Sequence, residues 1–244
     1  MAKQTAMMQL REEAVSGILE RLSLLSKGFT KPKLILIGGY ALRAFVDISR
    51  YTRDCDFAVR ERHLEQIKGW LELSAEAFHQ ERDYGFLRLL KLLKTNGSPV
   101  KLSFDFMQGE IRGRTEEDKV VIDRNFVQNS KRVLIKIWKK NLEVFVPEYV
   151  DYLILKIASA RPSDIRDIAA LLWKNDIPEM LMSRASEIVS NQEVFAGNIK
   201  EIIKSISDKR FVDSWRGTFL TREFTEKDKE RVIAQLEGVV QDFI

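Results

Sequence analysis

Apolar residues near the start of the chain fall on one helical face. Leu10, Ala14, Ile18, Leu19, Leu22 and Leu25 predict an amphipathic helix over 5–26, ending near Lys27-Gly28. "KLILIGG" (33–39) predicts a short buried strand, entered through Pro32 and closed by glycines. "YALRAFVDIS" (40–49) has the pattern of a helix, and "DCDFAV" (54–59) that of a second strand. Helical periodicity runs through "ERHLEQIKGWLELSAEAF" (61–78). "GFLRLLKLLK" and "VKLSFDFMQG" flank "TNGSP", a strong turn signal, and predict a hairpin. A second hairpin is predicted from "RVLIKIW" and "LEVFV", joined through Lys140-Asn141. From Pro147 onward strand-like alternation fades and helical patterns follow one another. The expected fold class is α+β: a mixed sheet with flanking helices and an N-terminal helix over 1–146, then an all-helical domain over 147–244.

Two carboxylates interrupt the apolar text of the second strand. Asp54 and Asp56 stand at i and i+2, so both point to one face. Side by side they repel, and each disfavours the charge of the other. A divalent cation turns that cost into a binding site, and magnesium prefers a few carboxylates together with waters and substrate phosphates. Cys55, between them, faces the other way and reads as a small buried hydrophobe. Gly38 and Gly39 end one strand and open a helix, where bare backbone and free N–H groups suit a phosphate. One end of the segment can therefore cradle a triphosphate, and the other can hold the ions that bridge it. Two ions about 3.5–4 Å apart need a third carboxylate. Asp105 is the only acid in its alternating strand, between Phe104 and Phe106.

Bulk properties narrow the choice of metal and partner. The chain has 244 residues, 45% hydrophobic and 31% charged, which suits a soluble globular protein. One cysteine excludes an internal disulfide, and a start without an apolar leader pattern adds to the expectation of a cytoplasmic protein. No apolar run approaches membrane-spanning length. Two histidines and one cysteine are too few for a zinc site, so carboxylate-held magnesium or manganese is expected. The net charge of +4 permits an anionic partner without demanding one. The basic run "KRVLIKIWKK" (131–140) suits either an edge strand guarded by lysines or a contact with a phosphate backbone.

A second group of polar residues lies in the helical part. Lys156 sits in the apolar helix "EYVDYLILKIAS", either with its ammonium reaching solvent or as a point charge on nucleotide phosphates. Asp164 and Asp167 share a face of a helix opened by Pro162. Asp164 suits the positive end of the dipole. Asp167 would pair with Arg161 or Lys156 and orient it.

The order strand, Gly-Gly, helix, Asp-x-Asp, strand, Asp resembles the nucleotidyltransferase superfamily with the DNA-polymerase-β-like fold. "GGYAL…RYTRDCDF" looks closest to the AbiEii-type toxin branch, with Arg50, Thr52, Asp54, Asp56 and Phe57 at the places of its "R-x-T/S-x-D-x-D-F" segment. Lys156 and "RPSDIRDI" are similar to that branch's helix lysine followed by "R-x-K-D-x-x-D-L". Ser163 stands where a lysine is common, and Gly38-Gly39 replaces a Gly-Ser pair. The likeness covers roughly 30–175.

The resemblance implies a nucleotidyltransferase-type sheet and transfer of a nucleoside monophosphate from a nucleoside triphosphate to an acceptor. Asp54, Asp56 and Asp105 would hold Mg²⁺ or Mn²⁺, and Asp105 would receive the acceptor's proton. Gly38, Gly39 and the Tyr40 amide would cradle the distal phosphates. Lys156, with Arg53 or Arg161, would neutralise the leaving pyrophosphate, and Asp164 and Asp167 would support them. Toxin relatives point to an RNA acceptor, the tRNA end included, and to an antitoxin partner. The alternative is a catalytically silent nucleotide- or RNA-binding module of the same fold, regulating a defence or toxin–antitoxin system.

Overall fold

The computed structural model describes residues 2–60, 62–95, 99–113, 115 and 117–241, the first four as backbone only. The central "NGS" of the expected turn at 95–99 lies outside the described residues. In chain order the elements are α1 (Ala2–Leu25), β1 (Leu34–Ile37), α2 (Gly38–Ala41) with a 3₁₀ turn at Leu42–Ala44, β2 (Asp54–Val59), α3 (Leu64–Leu71), β3 (Ser74–Gln80), β4 (Gly85–Leu93) and β5 (Val100–Gln108). Then come β6 (Glu110–Arg112), β7 (Lys119–Val121), α4 (Arg124–Gln128), β8 (Lys131–Ile137) and β9 (Lys140–Val146). Six helices follow: α5 (Tyr149–Ser159), α6 (Pro162–Lys174), α7 (Leu181–Ile188), α8 (Gln192–Ile206), α9 (Phe211–Phe219) and α10 (Glu226–Gln241). No helix among the described residues is long and apolar enough to cross a membrane.

The chain divides into two compact units. The first holds Met1–Ala44, Tyr51–Glu110 and Ile122–Pro147; the second holds Phe45–Arg50, Ile111–Val121 and Glu148–Ile244. The first is built on a seven-stranded sheet of order β3-β4-β5-β2-β1-β9-β8. β2 runs parallel to β5, and β1 parallel to β9; the other neighbours are antiparallel. β1 is apolar and wholly buried inside the sheet, between β2 and β9, as expected of a strand with neighbours on both sides. Alternation in β2 and β5 sends Cys55, Phe57, Phe104 and Phe106 to one face, where all four are fully buried. Phe57 stacks on Phe106 at 5.2 Å and on Phe29 at 6.1 Å. Leu64 of α3 lies over Gly85, and α1 packs on α3 and against the sheet.

The second unit is mainly helical. Trp215 is its largest fully buried side chain, set among Trp173, Phe219 and Phe224. Its indole N–H donates to the Arg166 carbonyl at 3.0 Å, so a large apolar ring is buried without an orphaned donor. The β6–β7 ribbon joins this unit through a bridge between Val120 and Val189.

Several predicted elements end differently from their sequence pattern. The helix expected over "YALRAFVDIS" is one α-turn and a short 3₁₀ turn, finished by Ala44. Phe45 leaves it to stack on Tyr152 at 4.7 Å, while Asn175 Nδ2 donates to the Phe45 carbonyl at 3.2 Å. Tertiary packing here outweighs helical periodicity. The helix expected over 61–78 ends at Leu71, where Glu72 turns left-handed at φ 49°, and Ser74–Gln80 forms an edge strand instead. "AEAF" favours helix by propensity, but the open rim of β4 supplies a ladder. The second hairpin turns at Trp138-Lys139, with Ile137 opposite Lys140. The basic run lies on β8 at the other rim, with Lys131, Arg132 and Lys136 exposed, a charged edge of the kind that resists pairing with other chains.

Candidate active site

The parallel register of β2 and β5 places Asp54 opposite Ser103 and Asp56 opposite Asp105. Alternation then sets Asp54, Asp56, Ser103 and Asp105 on one face, away from the aromatic layer. Three carboxylates separated in the chain thus share one side of two adjacent central strands. Each is fixed differently. Ser103 Oγ donates to Asp54 Oδ1 at 2.6 Å, while Asp54 itself is exposed. Asp105 is buried and takes a bidentate fork from Arg88, its antiparallel partner on β4. Nε meets Oδ1 at 2.9 Å, and one terminal guanidinium nitrogen meets Oδ2 at 2.6 Å. The hydrogen bonds to Asp105 push the Arg88 guanidinium pKa up, against a burial effect that lowers it.

Asp56 is packed onto the glycine pair. Gly38 adopts φ +67°, and a Cβ built there would lie 2.0 Å from Asp56 Oδ2. Glycine is therefore required twice, by its left-handed backbone and by the approach of the carboxylate. Gly38→Ala is expected to cost about 1–3 kcal/mol from the backbone conformation alone, and to push Asp56 aside as well. Urea unfolding checks the first effect; a loss below about 0.5 kcal/mol would contradict it. Gly38 is partly exposed, whereas Gly39 and Tyr40 are buried. The Tyr40 ring packs near Arg43 at 5.1 Å, so it lies in the core and not beside an open surface. Because α2 is four residues long, its aligned dipole is small.

Cys55 is fully buried behind the two aspartates. Burial first, and then the charges of Asp56, Asp105 and Asp54, push its thiol pKa well up. It stays protonated, as expected of a packing residue.

Lys156, Asp164 and Asp167 come together in the second unit, joined by Arg50. Lys156 is buried, and its Nζ donates to Asp164 Oδ1 at 2.7 Å and Asp167 Oδ2 at 2.8 Å. Arg50 forks onto Asp167, Nε to Oδ1 at 2.6 Å and a terminal nitrogen to Oδ2 at 2.8 Å. Two cations thus meet two anions in a buried, charge-balanced cluster. This corrects the expectation for Lys156: it sits inside an ion network and not at an open surface facing phosphates. Of the two partners expected for Asp167, Lys156 is one it takes, with Arg50 in the place offered to Arg161. Arg161 is exposed at the N-cap of α6, and Arg53 is exposed one residue before Asp54.

Electrostatics of the cluster set its pH range. Burial opposes the charge of Asp164, but Lys156 outweighs it and holds the carboxyl below the usual carboxylate range. Burial likewise opposes the charge on Lys156, and Asp167 leads the groups that push its pKa up instead. A lowered acid contributes stability above its unfolded pKa and loses it as pH falls through the folded one; a raised base keeps its contribution below its unfolded pKa and loses it as pH rises through the folded one. Wild type and Asp164→Asn should therefore converge in melting temperature only below about pH 3.9 on the acid side. Thermal melts from pH 7 to 2 check this, and convergence already near neutrality would contradict it.

Among the described residues no three His, Cys, Asp or Glu side chains converge closely enough to hold a metal ion as they stand. The donors nevertheless fit a divalent ion in kind. They are hard carboxylate oxygens on one face, and the buried Asp105 already draws a cation, the Arg88 guanidinium, to both its oxygens. Sequence reasoning did not assign Arg88, Ser103 or a role for Arg50. For Arg88 a signal was present: drawing the hairpin around "TNGSP" places Arg88 opposite Asp105.

Two crystal structures from Helicobacter pylori resemble the chain at low identity. One, of a protein described as a candidate nucleotidyltransferase, is 12% identical; the likeness covers 94% of this chain and 96% of that one, with a TM-score of 0.46. The other, of JHP933, is 13% identical and covers 97% and 93%, with a TM-score of 0.42. No curated protein matches the chain. The model of a family described as nucleotidyltransferase of unknown function, DUF6036, matches residues 13–201. That span includes the glycine pair, the three strand carboxylates and the Lys156 cluster, and this chain belongs to that family of nucleotidyltransferases.

Proposed function

We propose that the protein is a metal-dependent transferase of the AbiEii-like kind, moving a nucleoside monophosphate from a nucleoside triphosphate to an RNA acceptor, the tRNA end among the candidates. The observation that carries this reading is the shared face of Asp54, Asp56 and Asp105 across the β2–β5 register. Asp54 and Asp56 would hold Mg²⁺ or Mn²⁺ together, with Asp105 as the third oxygen donor. When bound, the metal would supply positive charge to the triphosphate and lower the pKa of the attacking hydroxyl. The acceptor oxygen forms a bond to the α-phosphorus as the bond to pyrophosphate breaks, and its proton passes to Asp105. Backbone at Gly38, partly exposed beside Asp56, lets a phosphate approach closely, with the Gly39 and Tyr40 amides behind it. Arg53 would neutralise the pyrophosphate as it leaves. Ser103 fixes Asp54, and the chain's part is mainly electrostatic positioning. The single buried cysteine and the RNA acceptor favour the cytoplasm, with an antitoxin protein as partner.

The test is incubation with each of the four labelled nucleoside triphosphates, magnesium or manganese, and separated RNA and protein fractions. Label appearing on RNA with stoichiometric pyrophosphate supports the reading, and label on protein alone would redirect the acceptor. One observation favours the silent-module reading: the Arg88 fork occupies both oxygens of Asp105. Tight nucleotide binding without turnover under any metal would establish that reading.

A further inference from the structure

Arg88 is placed between two carboxylates. Its Nε and one terminal nitrogen hold Asp105, while its other terminal nitrogen lies 3.9 Å from Glu76 Oε2. Glu76 sits where the β3–β4 register shifts between Ala75 and Ala77, an irregularity that re-aims a side chain. Lys101 Nζ holds the other oxygen of Glu76 at 3.0 Å, so Glu76 is kept in place beside Arg88. Arg88 is 39% exposed and has room to turn, in contrast to Arg50, whose fork onto Asp167 is 11% exposed.

Asp105 cannot serve a guanidinium fork and a divalent ion equally well. The fork takes a lone pair from each oxygen and sets a positive charge where another cation would approach. Building on the metal-dependent reading above, we propose that Arg88 is the resident cation of Asp105, a positioning residue that moves onto Glu76 when the metal-bearing nucleotide arrives. Asp105 is thereby withheld from metal until substrate is present. Loading of the third carboxylate then depends on the nucleotide, and the idle protein does not collect ions there.

The test is titration of Mn²⁺ without nucleotide, followed by electron paramagnetic resonance of free Mn²⁺, on the full chain. Arg88→Gln should bind Mn²⁺ about tenfold tighter than wild type, the loss of a charged bidentate contact expressed as affinity. Arg88→Lys, which keeps the charge, should stay near wild type, and Arg88→Gln with Asp105→Asn should lose the gain. With a non-hydrolysable nucleoside triphosphate present, wild type and Arg88→Gln should converge. Circular dichroism melts confirm that the variants are folded. No gain in Arg88→Gln, or a gain that survives Asp105→Asn, overturns the proposal. If Asp54→Asn with Asp56→Asn leaves Mn²⁺ binding unchanged, the metal reading itself fails and takes this inference with it. If that pair abolishes binding while Arg88→Gln changes nothing, only the inference fails.

Discussion

Asp56→Asn is expected to lower nucleotide transfer about a thousandfold, in the range seen when a preorganised charge-stabilising group is removed, with the fold intact. Asp56 lies at the crossing of three constraints. It pairs with Ile37 at the end of β1, with Asp105 on β5, and its carboxylate rests against the Gly38 backbone. Asparagine keeps that shape and removes the charge. A partly exposed side chain on a strand whose opposite face carries the packing should bring little change in melting temperature. Single-turnover incorporation of label, beside a thermal melt, separates the two effects. Activity within tenfold of wild type would remove Asp56 from the chemistry, and with it the carboxylate-triad account.

Asp167→Ala is expected to cost about 3–5 kcal/mol of stability, the penalty for removing one partner from a buried ion pair. Asp167 is fully buried and receives three charged hydrogen bonds from two residues: the Arg50 fork and the Lys156 ammonium. Without it, Arg50 loses both its acceptors there, and Lys156 keeps Asp164 alone. Two buried cations would then face one carboxylate. Urea unfolding monitored by tryptophan fluorescence measures the loss, because Trp173 and Trp215 lie in the same unit. A cost under about 1 kcal/mol would place the cluster among ion pairs that contribute little.

Much of the first unit was legible because its signals are local. β2 spans Asp54–Val59, the apolar run quoted from the sequence. β4 and β5 pair as the hairpin signal implied, which sets Arg88 opposite Asp105, and the parallel β2–β5 register sets Asp105 beside Asp56. Misreadings came where a neighbour outweighed the local pattern. Phe45 abandoned its helix for Tyr152, and Ser74–Gln80 joined the rim of β4. The role of Lys156 was hidden for a different reason. Its geometry depends on Arg50, which lies 117 positions from Asp167, and no spacing rule reaches that far. The lysine and the two aspartates were visible; the residue that completes their charge balance was not.

The alternation of β2 has a bearing on how this chain can vary. At odd positions 55, 57 and 59 every side chain is shut in the interior, whereas 54 and 56 open toward the carboxylate face. On the proposed function, adjacent letters of one short word would answer to separate judges, one weighing cohesion and the other reactivity. If 54 and 56 carry the proposed chemistry, drift at the first set would be limited by what the fold survives and drift at the second by what the reaction survives, so a lineage could silence the activity here without loosening a single packed ring.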